Sequence, residues 1–208
     1  MQIIIFDMDG TLIDSRHDIA ESINFARKQK GLEPLSEPEI TRILNDPAAQ
    51  SAKALYGTDG YSAADRENFE SHYHRQCLMG LKLFEGIAEL LETLANQNIR
   101  MAIATNASRA FAERMLAHAR VDRFFETMIG ASCVPRPKPH PDMLYEVFKR
   151  LDYRPSEGRA LFVGDSAKDM LSAKAAGIEG VFVRWGYGEC GGHADRRIDS
   201  PGELLGLL

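Results

Sequence analysis

Asp7 and Asp9 stand one residue apart, directly after the apolar run Ile3-Ile4-Ile5-Phe6 and directly before Gly10-Thr11. An isoleucine-rich run stopped by glycine reads as a buried strand, which puts both carboxylates at its carboxyl end. Carboxylates in such a mouth are costly to desolvate unless protons or a cation compensate them. The pair suggests a metal-dependent site, with an ordinary Asp-Gly turn as the plain alternative.

Further stretches carry the same kind of signal. Thr105-Asn106 follows the apolar run 99–104, with Ser108 placed to cap the next helix. The loop Arg136-Pro137-Lys138-Pro139-His140-Pro141 follows a short strand at 127–129. Gly164-Asp165-Ser166 follows the run 160–163, and Asp169 comes four residues after Asp165. Taken singly, Thr105 and Asp165 read as helix N-caps and Lys138 as a solvated charge. Prolines on both sides of Lys138 restrict its neighbours to extended conformations, so the loop is stiff and aims its lysine. Asp165 and Asp169 share one helix face and repel by about a few tenths of a kcal/mol unless a cation lies between them.

In open parallel sheets, ligands bind beyond the carboxyl ends of the strands, near a switch in strand order. Acids, a hydroxyl and a lysine gathered at that edge fit a phosphate and Mg²⁺ site better than a coincidence of caps and turns. Hard oxygen donors suit Mg²⁺, and the His/Cys set that zinc prefers is missing. In such a site one carboxylate attacks phosphorus and forms an aspartyl-phosphate. A second acid protonates the leaving oxygen and then deprotonates the water that cleaves the intermediate. Lysine, backbone amides and the metal stabilise charge on the equatorial oxygens.

The elements that must position these groups fall into two regimes. From about residue 83 onward, helix stripes (Phe84, Ile87, Leu90, Leu91, Leu94; Phe111, Met115; Leu144, Val147, Phe148, Leu151) alternate with short apolar runs. Asn98 suits the stop of the first of these helices, Pro141 the first turn of the third, and Gly177 the end of a helix over 167–176, before a strand at 181–183. Such alternation predicts an α/β fold: a Rossmann-like, mostly parallel sheet with helices on both faces. Residues 16–80 show no strand pattern. Ile19, Ile23 and Ala26 form one stripe, Ser36 and Glu39 make a capping box, Asp46-Pro47 restarts a helix that Gly57 ends, and Ser62 caps a last helix to Met79. The expected organisation is an α/β core of 1–15 and 81–208 with a small all-helical cap, 16–80, inserted after the first strand.

Net charge is −5 at 208 residues, and no basic stretch exceeds Arg196-Arg197, so nucleic acid is not an expected partner. The apolar runs are too short to span a bilayer, and no leader pattern precedes the first strand. Three widely spaced cysteines, Cys77, Cys133 and Cys190, point to a reducing compartment, and cytoplasm is the expected location.

These stretches resemble the motifs of the haloacid dehalogenase-like hydrolases, most of which are phosphatases. Asp7-Met8-Asp9-Gly10-Thr11-Leu12-Ile13-Asp14-Ser15 is similar to the first motif in full, Thr105-Asn106 to the second, Lys138-Pro139-His140-Pro141-Asp142 to the third and Gly164-Asp165-Ser166-Ala167-Lys168-Asp169 to the fourth. The resemblance implies Asp7 as nucleophile, Asp9 as acid/base, and Thr105 and Lys138 holding the phosphoryl group. It implies Gly10, Thr105, Asn106 and Lys138 as substrate-binding, and Mg²⁺ bound by Asp7, the Asp9 carbonyl and Asp165 with Asp169 alongside. The acid at position 9 favours phosphatase over dehalogenase. Position and helical character of the insert resemble the phosphoglycolate phosphatase-like branch, although Leu44-Asn45-Asp46-Pro47 stands where that branch carries a glycine-containing substrate loop. The expected function is Mg²⁺-dependent hydrolysis of a small phosphorylated metabolite. A phosphosugar mutase of the same fold and a non-catalytic phosphate-binding regulator are the alternatives.

Other features carry no chemistry at this stage. His72 and His74 fall on different helix faces and read as surface residues. The segment Gly186-Tyr187-Gly188 to Gly191-Gly192 matches no nucleotide fingerprint and reads as a flexible loop. Trp185 is expected to pack, His193 to be solvated, Cys133 to fill space, and Arg16 and His17 to be solvated helix residues.

Overall fold

The computed structural model describes residues 2–208. In chain order, β1 (Gln2–Phe6) and β2 (Ile13–Asp14) precede the helices α1 (Arg16–Gln29), α2 (Glu37–Asn45), α3 (Ser51–Tyr56) and α4 (Ala63–Gln76). Then come β3 (Lys82–Leu83), α5 (Ile87–Asn96), β4 (Arg100–Thr105), α6 (Arg109–His118) and β5 (Thr127–Gly130). The chain continues through α7 (Asp142–Arg150), β6 (Arg159–Gly164), α8 (Ala167–Ala176), β7 (Glu179–Val183) and β8 (Arg196–Ile198).

β1 is the strand around which the sheet is built. Six strands pair in the order β5-β4-β1-β6-β7-β8, every pair parallel, as the alternation of elements predicts. The chain leaves β1 toward β4 on one side and returns to β6 on the other, so the switch in strand order falls at β1. Phe6 is in register with Ile103 of β4 and Val163 of β6, which sets the carboxyl ends of these strands side by side.

Both faces of β1 are buried. Ile3 and Ile5 pack with Ala102, Ala104 and Phe162 against Met143, Leu144, Val147 and Phe148 of α7 and Ala173 of α8. Alternation sends Ile4 and Phe6 to the opposite face, where Phe6 meets Phe125 edge-on at 6.3 Å. Each such side chain contributes about 1.5–3 kcal/mol by leaving water. That rigid core fixes the loops at the strand ends.

Two compact units emerge: residues up to Asp14 with Lys82–Leu208, and Ser15–Leu81. The antiparallel pair β2–β3 (Ile13 with Leu83, Asp14 with Lys82) lies in the α/β unit where the chain departs and returns. The helical unit has its own core of Ala20, Ile23, Ala26, Ile40, Ile43, Leu55 and Tyr56. The Ser36–Glu39 capping box forms, with the Glu39 carboxylate accepting from the Ser36 amide at 3.0 Å. No helix among the described residues is long and apolar enough to cross a membrane.

Some local expectations shift. α3 begins at Ser51, not at Asp46-Pro47, because the Asp46 carboxylate accepts from the Ala48 amide at 2.8 Å and closes a turn instead. α4 stops at Gln76, short of Met79. β8 was not expected: Arg196-Arg197-Ile198 is a short, charged strand at the sheet edge, where an alternating apolar pattern is not required.

Candidate active site

The carboxyl ends of β1, β4 and β6 each deliver a residue singled out above, and the loop after β5 delivers Lys138. The β1–β6 ladder runs one residue past the strand, the Asp7 amide donating to Val163 O at 2.8 Å. Asp7 is thereby held at the sheet edge with 6 % exposure. The Lys138 ammonium donates to Asp7 Oδ1 at 2.6 Å and pairs with Asp169 Oδ1 at 2.7 Å. Asp169 Oδ2 accepts from the Ser166 amide at 3.0 Å and hydroxyl at 2.6 Å. Asp165 Oδ2 accepts from the amides of Tyr187 and Gly188, each at 3.0 Å. One oxygen from each of Asp7, Asp165 and Asp169 falls within 4.8 Å of the others.

Three buried carboxylates against one buried ammonium leave a formal surplus of two negative charges. The carboxyls register the strain. Burial, with Asp169 nearby, pushes Asp165 up to about 7. Burial also holds Asp7 well above the usual range, Lys138 opposing it and the neighbouring carboxylates adding to it. Burial disfavours charge on Lys138 too, but Asp169 and Asp7 outweigh it and keep the ammonium protonated. A divalent cation removes this surplus, and an all-oxygen set is the chemistry Mg²⁺ takes. The residues present therefore fit the ion.

Asp9 occupies the turn after β1, in which Met8 O accepts from the amides of Leu12 at 2.9 Å and Ile13 at 3.0 Å. Its carboxylate is half-buried and is not a member of the Asp7–Asp165–Asp169 cluster. Gly10 has φ +83°, and a Cβ there would stand 2.3 Å from Asp165 Oδ2, so only glycine allows this approach. Thr105 is buried at the end of β4, where its hydroxyl accepts from the Ala107 amide at 3.1 Å. Asn106, exposed just past the end of β4, reaches across to the backbone of Lys138. Its side chain accepts from the Lys138 amide at 3.0 Å and donates to Lys138 O at 3.1 Å, and so holds the lysine's backbone.

The segment after β7 also departs from expectation. Gly186-Tyr187-Gly188 is packed on Asp165 rather than loose, and Trp185 Nε1 donates to Thr11 O at 3.0 Å. Backbone donors leave no mark in residue type. The available signal was a pair of glycines around one residue, just past a strand end on the ligand-binding edge. In the helical unit, His72 is half-buried, bonded to Ser22 Oγ at 2.9 Å and stacked on Phe25 at 4.5 Å, not a plain surface residue. Exposed His17 pairs with Glu37 at 3.2 Å, and Arg16 approaches the same residue at 3.7 Å.

Comparison with known proteins follows the same lines. Residues 4–183 match the model of the haloacid dehalogenase-like hydrolase family. Phosphoglycolate phosphatase from Pectobacterium atrosepticum is 35% identical over 88% of this chain and 80% of its own length. The Mycobacterium bovis protein named tyrosine-protein kinase PtkA is 33% identical over 90% of this chain and 63% of its own length. The crystal structure of a predicted phosphoglycolate phosphatase from Haemophilus somnus superposes with a TM-score of 0.86 at 26% identity, covering 99% of this chain and 96% of that one. The chain belongs to the haloacid dehalogenase-like hydrolases. Within them it is phosphoglycolate phosphatase-like, and its enzyme class is that of a phosphomonoester hydrolase.

Proposed function

We propose that the protein hydrolyses a small phosphorylated metabolite through an aspartyl-phosphate on Asp7, with the helical unit as its cap. Phosphoglycolate, for which the Pectobacterium relative is named, is the first ester to consider. The observation that carries this reading is the Asp7 carboxylate at a strand end, 2.6 Å from a buried ammonium and clustered with Asp165 and Asp169.

In the first displacement an Asp7 oxygen attacks phosphorus, the ester P–O bond breaks, and the Asp9 carboxyl gives its proton to the departing oxygen. In the second, Asp9 takes a proton from water, whose oxygen attacks the same phosphorus. The acyl-phosphate bond then breaks and returns Asp7 with inorganic phosphate. Lys138 and the Thr105 hydroxyl hold the phosphoryl oxygens and offset their charge. Mg²⁺ would be held by Asp7, the Asp9 carbonyl and Asp165, with Asp169 alongside, and would supply positive charge beside the phosphoryl group.

Transfer of the phosphoryl group to a second hydroxyl instead of water is the alternative, favoured by the match to a kinase-named relative. A panel of short-acid, sugar and nucleotide monophosphates, assayed for inorganic phosphate with Mg²⁺ and with EDTA, separates the two. Hydrolysis predicts stoichiometric phosphate that EDTA abolishes, and Asp7→Asn lowers the rate at least about a thousandfold while the fold is kept. Full Mg²⁺-dependent phosphate release by Asp7→Asn would overturn the nucleophile assignment.

A further inference from the structure

The segment Trp185–Gly188 touches two of the places that supply oxygen ligands to the proposed cation. Its backbone amides at Tyr187 and Gly188 both donate to one oxygen of Asp165, Oδ2, each at 3.0 Å. With Oδ2 occupied, Oδ1 is the oxygen left for a cation, and the carboxylate cannot rotate without breaking both hydrogen bonds. The indole of Trp185 donates to Thr11 O at 3.0 Å, on the turn that also carries Asp9 and Gly10. The glycines are a steric requirement of this packing. A Cβ at Gly186 would lie 2.3 Å from Asp165 Cβ and 2.4 Å from Gly10 O. A Cβ at Gly188 would lie 2.4 Å from Asp165 O. The segment is thus fastened to the β1 turn at one end and to Asp165 at the other.

We propose that Trp185–Gly188 is a positioning loop for the divalent cation, fixing Asp165 and the Asp9 turn at a set separation before the ion arrives. This rests on the Mg²⁺-dependent reading of the site given above. Two backbone amides suit the task better than side chains would. They carry no net charge to compete with the cation, and they have no rotamer freedom to lose. Their donation also favours the ionised carboxylate that a hard cation needs. Trp185 acts at one remove, through Thr11 and the turn, and is a positioning residue. It touches neither phosphoryl group nor metal in this assignment.

The test is binding of Mg²⁺ alone, by isothermal titration calorimetry without any ester, to the wild-type protein and to Trp185→Phe. Phenylalanine keeps an aromatic ring but removes the pyrrole half of the indole with its N–H donor, so melting in EDTA registers the lost packing separately from Mg²⁺ affinity. Losing one hydrogen bond that holds the turn raises the Mg²⁺ dissociation constant about threefold to tenfold. Melting in EDTA falls by the cost of the lost packing and hydrogen bond alone, whereas the rise in Tm on adding Mg²⁺ shrinks beyond that. In turnover assays the deficit is greatest at limiting Mg²⁺ and narrows as Mg²⁺ is raised. Trp185→Leu, which removes the remaining aromatic ring as well, extends the effect in the same direction. Unchanged Mg²⁺ affinity in both variants, beside a wild type that binds the ion, overturns the positioning role and leaves the phosphatase reading standing. A wild type that binds no Mg²⁺ overturns the cation reading itself, and this inference with it.

Discussion

A lysine meets a buried aspartate in each of the two units, and the contacts differ in what surrounds them. In the helical unit the Lys30 ammonium lies 2.7 Å from Asp65 Oδ1, and the Ser62 amide at 2.9 Å takes the other oxygen. One positive charge meets one negative charge, and the aspartate also completes a helix capping box. Burial works against the Asp65 carboxylate, but Lys30 and Ser62 hold it below its ordinary value. In the α/β unit, Lys138 faces Asp7 and Asp169 with Asp165 close behind, and Asp7 and Asp165 are pushed up. A balanced buried pair belongs to the architecture. An unbalanced one marks the place where the molecule expects charge from outside.

Replacing each lysine by methionine separates these roles most sharply. Lys138→Met removes the ammonium that pairs with Asp7 and Asp169 and lowers turnover about 10²–10³-fold. Lys30→Met leaves a buried carboxylate with its Ser62 hydrogen bonds alone and costs about 2–3 kcal/mol of stability, a fall in Tm of roughly 4–12 °C. Phosphate release per folded molecule stays within about twofold of wild type, since Lys30 holds no reacting group. Phosphate release and thermal melting of both variants check this. A Lys30→Met enzyme that melts normally but fails to turn over would erase the distinction.

Proton linkage gives the next largest effect, with opposite signs in the two places. Asp165 is raised to about 7 in the folded chain against about 3.9 unfolded, so between those values the folded state binds more protons. Stability is therefore full below about pH 4 as far as this group is concerned, and falls as pH rises toward 7. In EDTA the loss is on the order of 2–4 kcal/mol, and Mg²⁺, by compensating the carboxylates, restores most of it at pH 8. Asp65 is depressed, so its contribution is present above about pH 4 and disappears as pH falls through its folded value. Melting curves from pH 3 to 8 with and without Mg²⁺ read both. A Mg²⁺ effect on Tm that is as large at pH 5 as at pH 8 contradicts the charge surplus.

The sequence made the sheet, its alternation with helices and the clustered acids legible, because apolar runs ending in Asp or Thr put periodicity and chemistry in the same stretch. Residues 3–7 are the clearest case, since a run buried on both faces must be central and its next residue must emerge at the edge. What stayed hidden was carried by atoms that every residue has. The Tyr187 and Gly188 amides on Asp165 have no residue-type signature, and the same sequence stretch fits a loose loop. β8 was obscured because an edge strand tolerates the consecutive arginines that a central strand excludes. Asn106 was visible, but its partner was not: nothing in a linear chain says that an amide at 106 spans to the backbone at 138.

Asn106 also gives the finest test of the comparison between the two lysines. Lys30 follows α1, and its backbone amide bonds to Arg27 O at 3.0 Å, so the helix end alone places it. Lys138 sits in a loop with no helix to place it, and the Asn106 side chain clamps both its amide and its carbonyl. Asn106→Ala frees that stretch of backbone and lowers kcat/KM about tenfold, a modest loss since Lys138 itself remains. In the proposed mechanism Lys138 works hardest when charge develops on phosphorus, so the deficit falls mainly on kcat. A residue that held the ester directly would raise KM instead. Asn106→Asp keeps an acceptor for the Lys138 amide but sets a carboxylate oxygen against Lys138 O, so it recovers little of the loss. Steady-state kinetics on both variants decide the matter: a raised KM with kcat intact would return Asn106 to the substrate, and leave Lys138 as dependent on its own loop as Lys30 is on its helix.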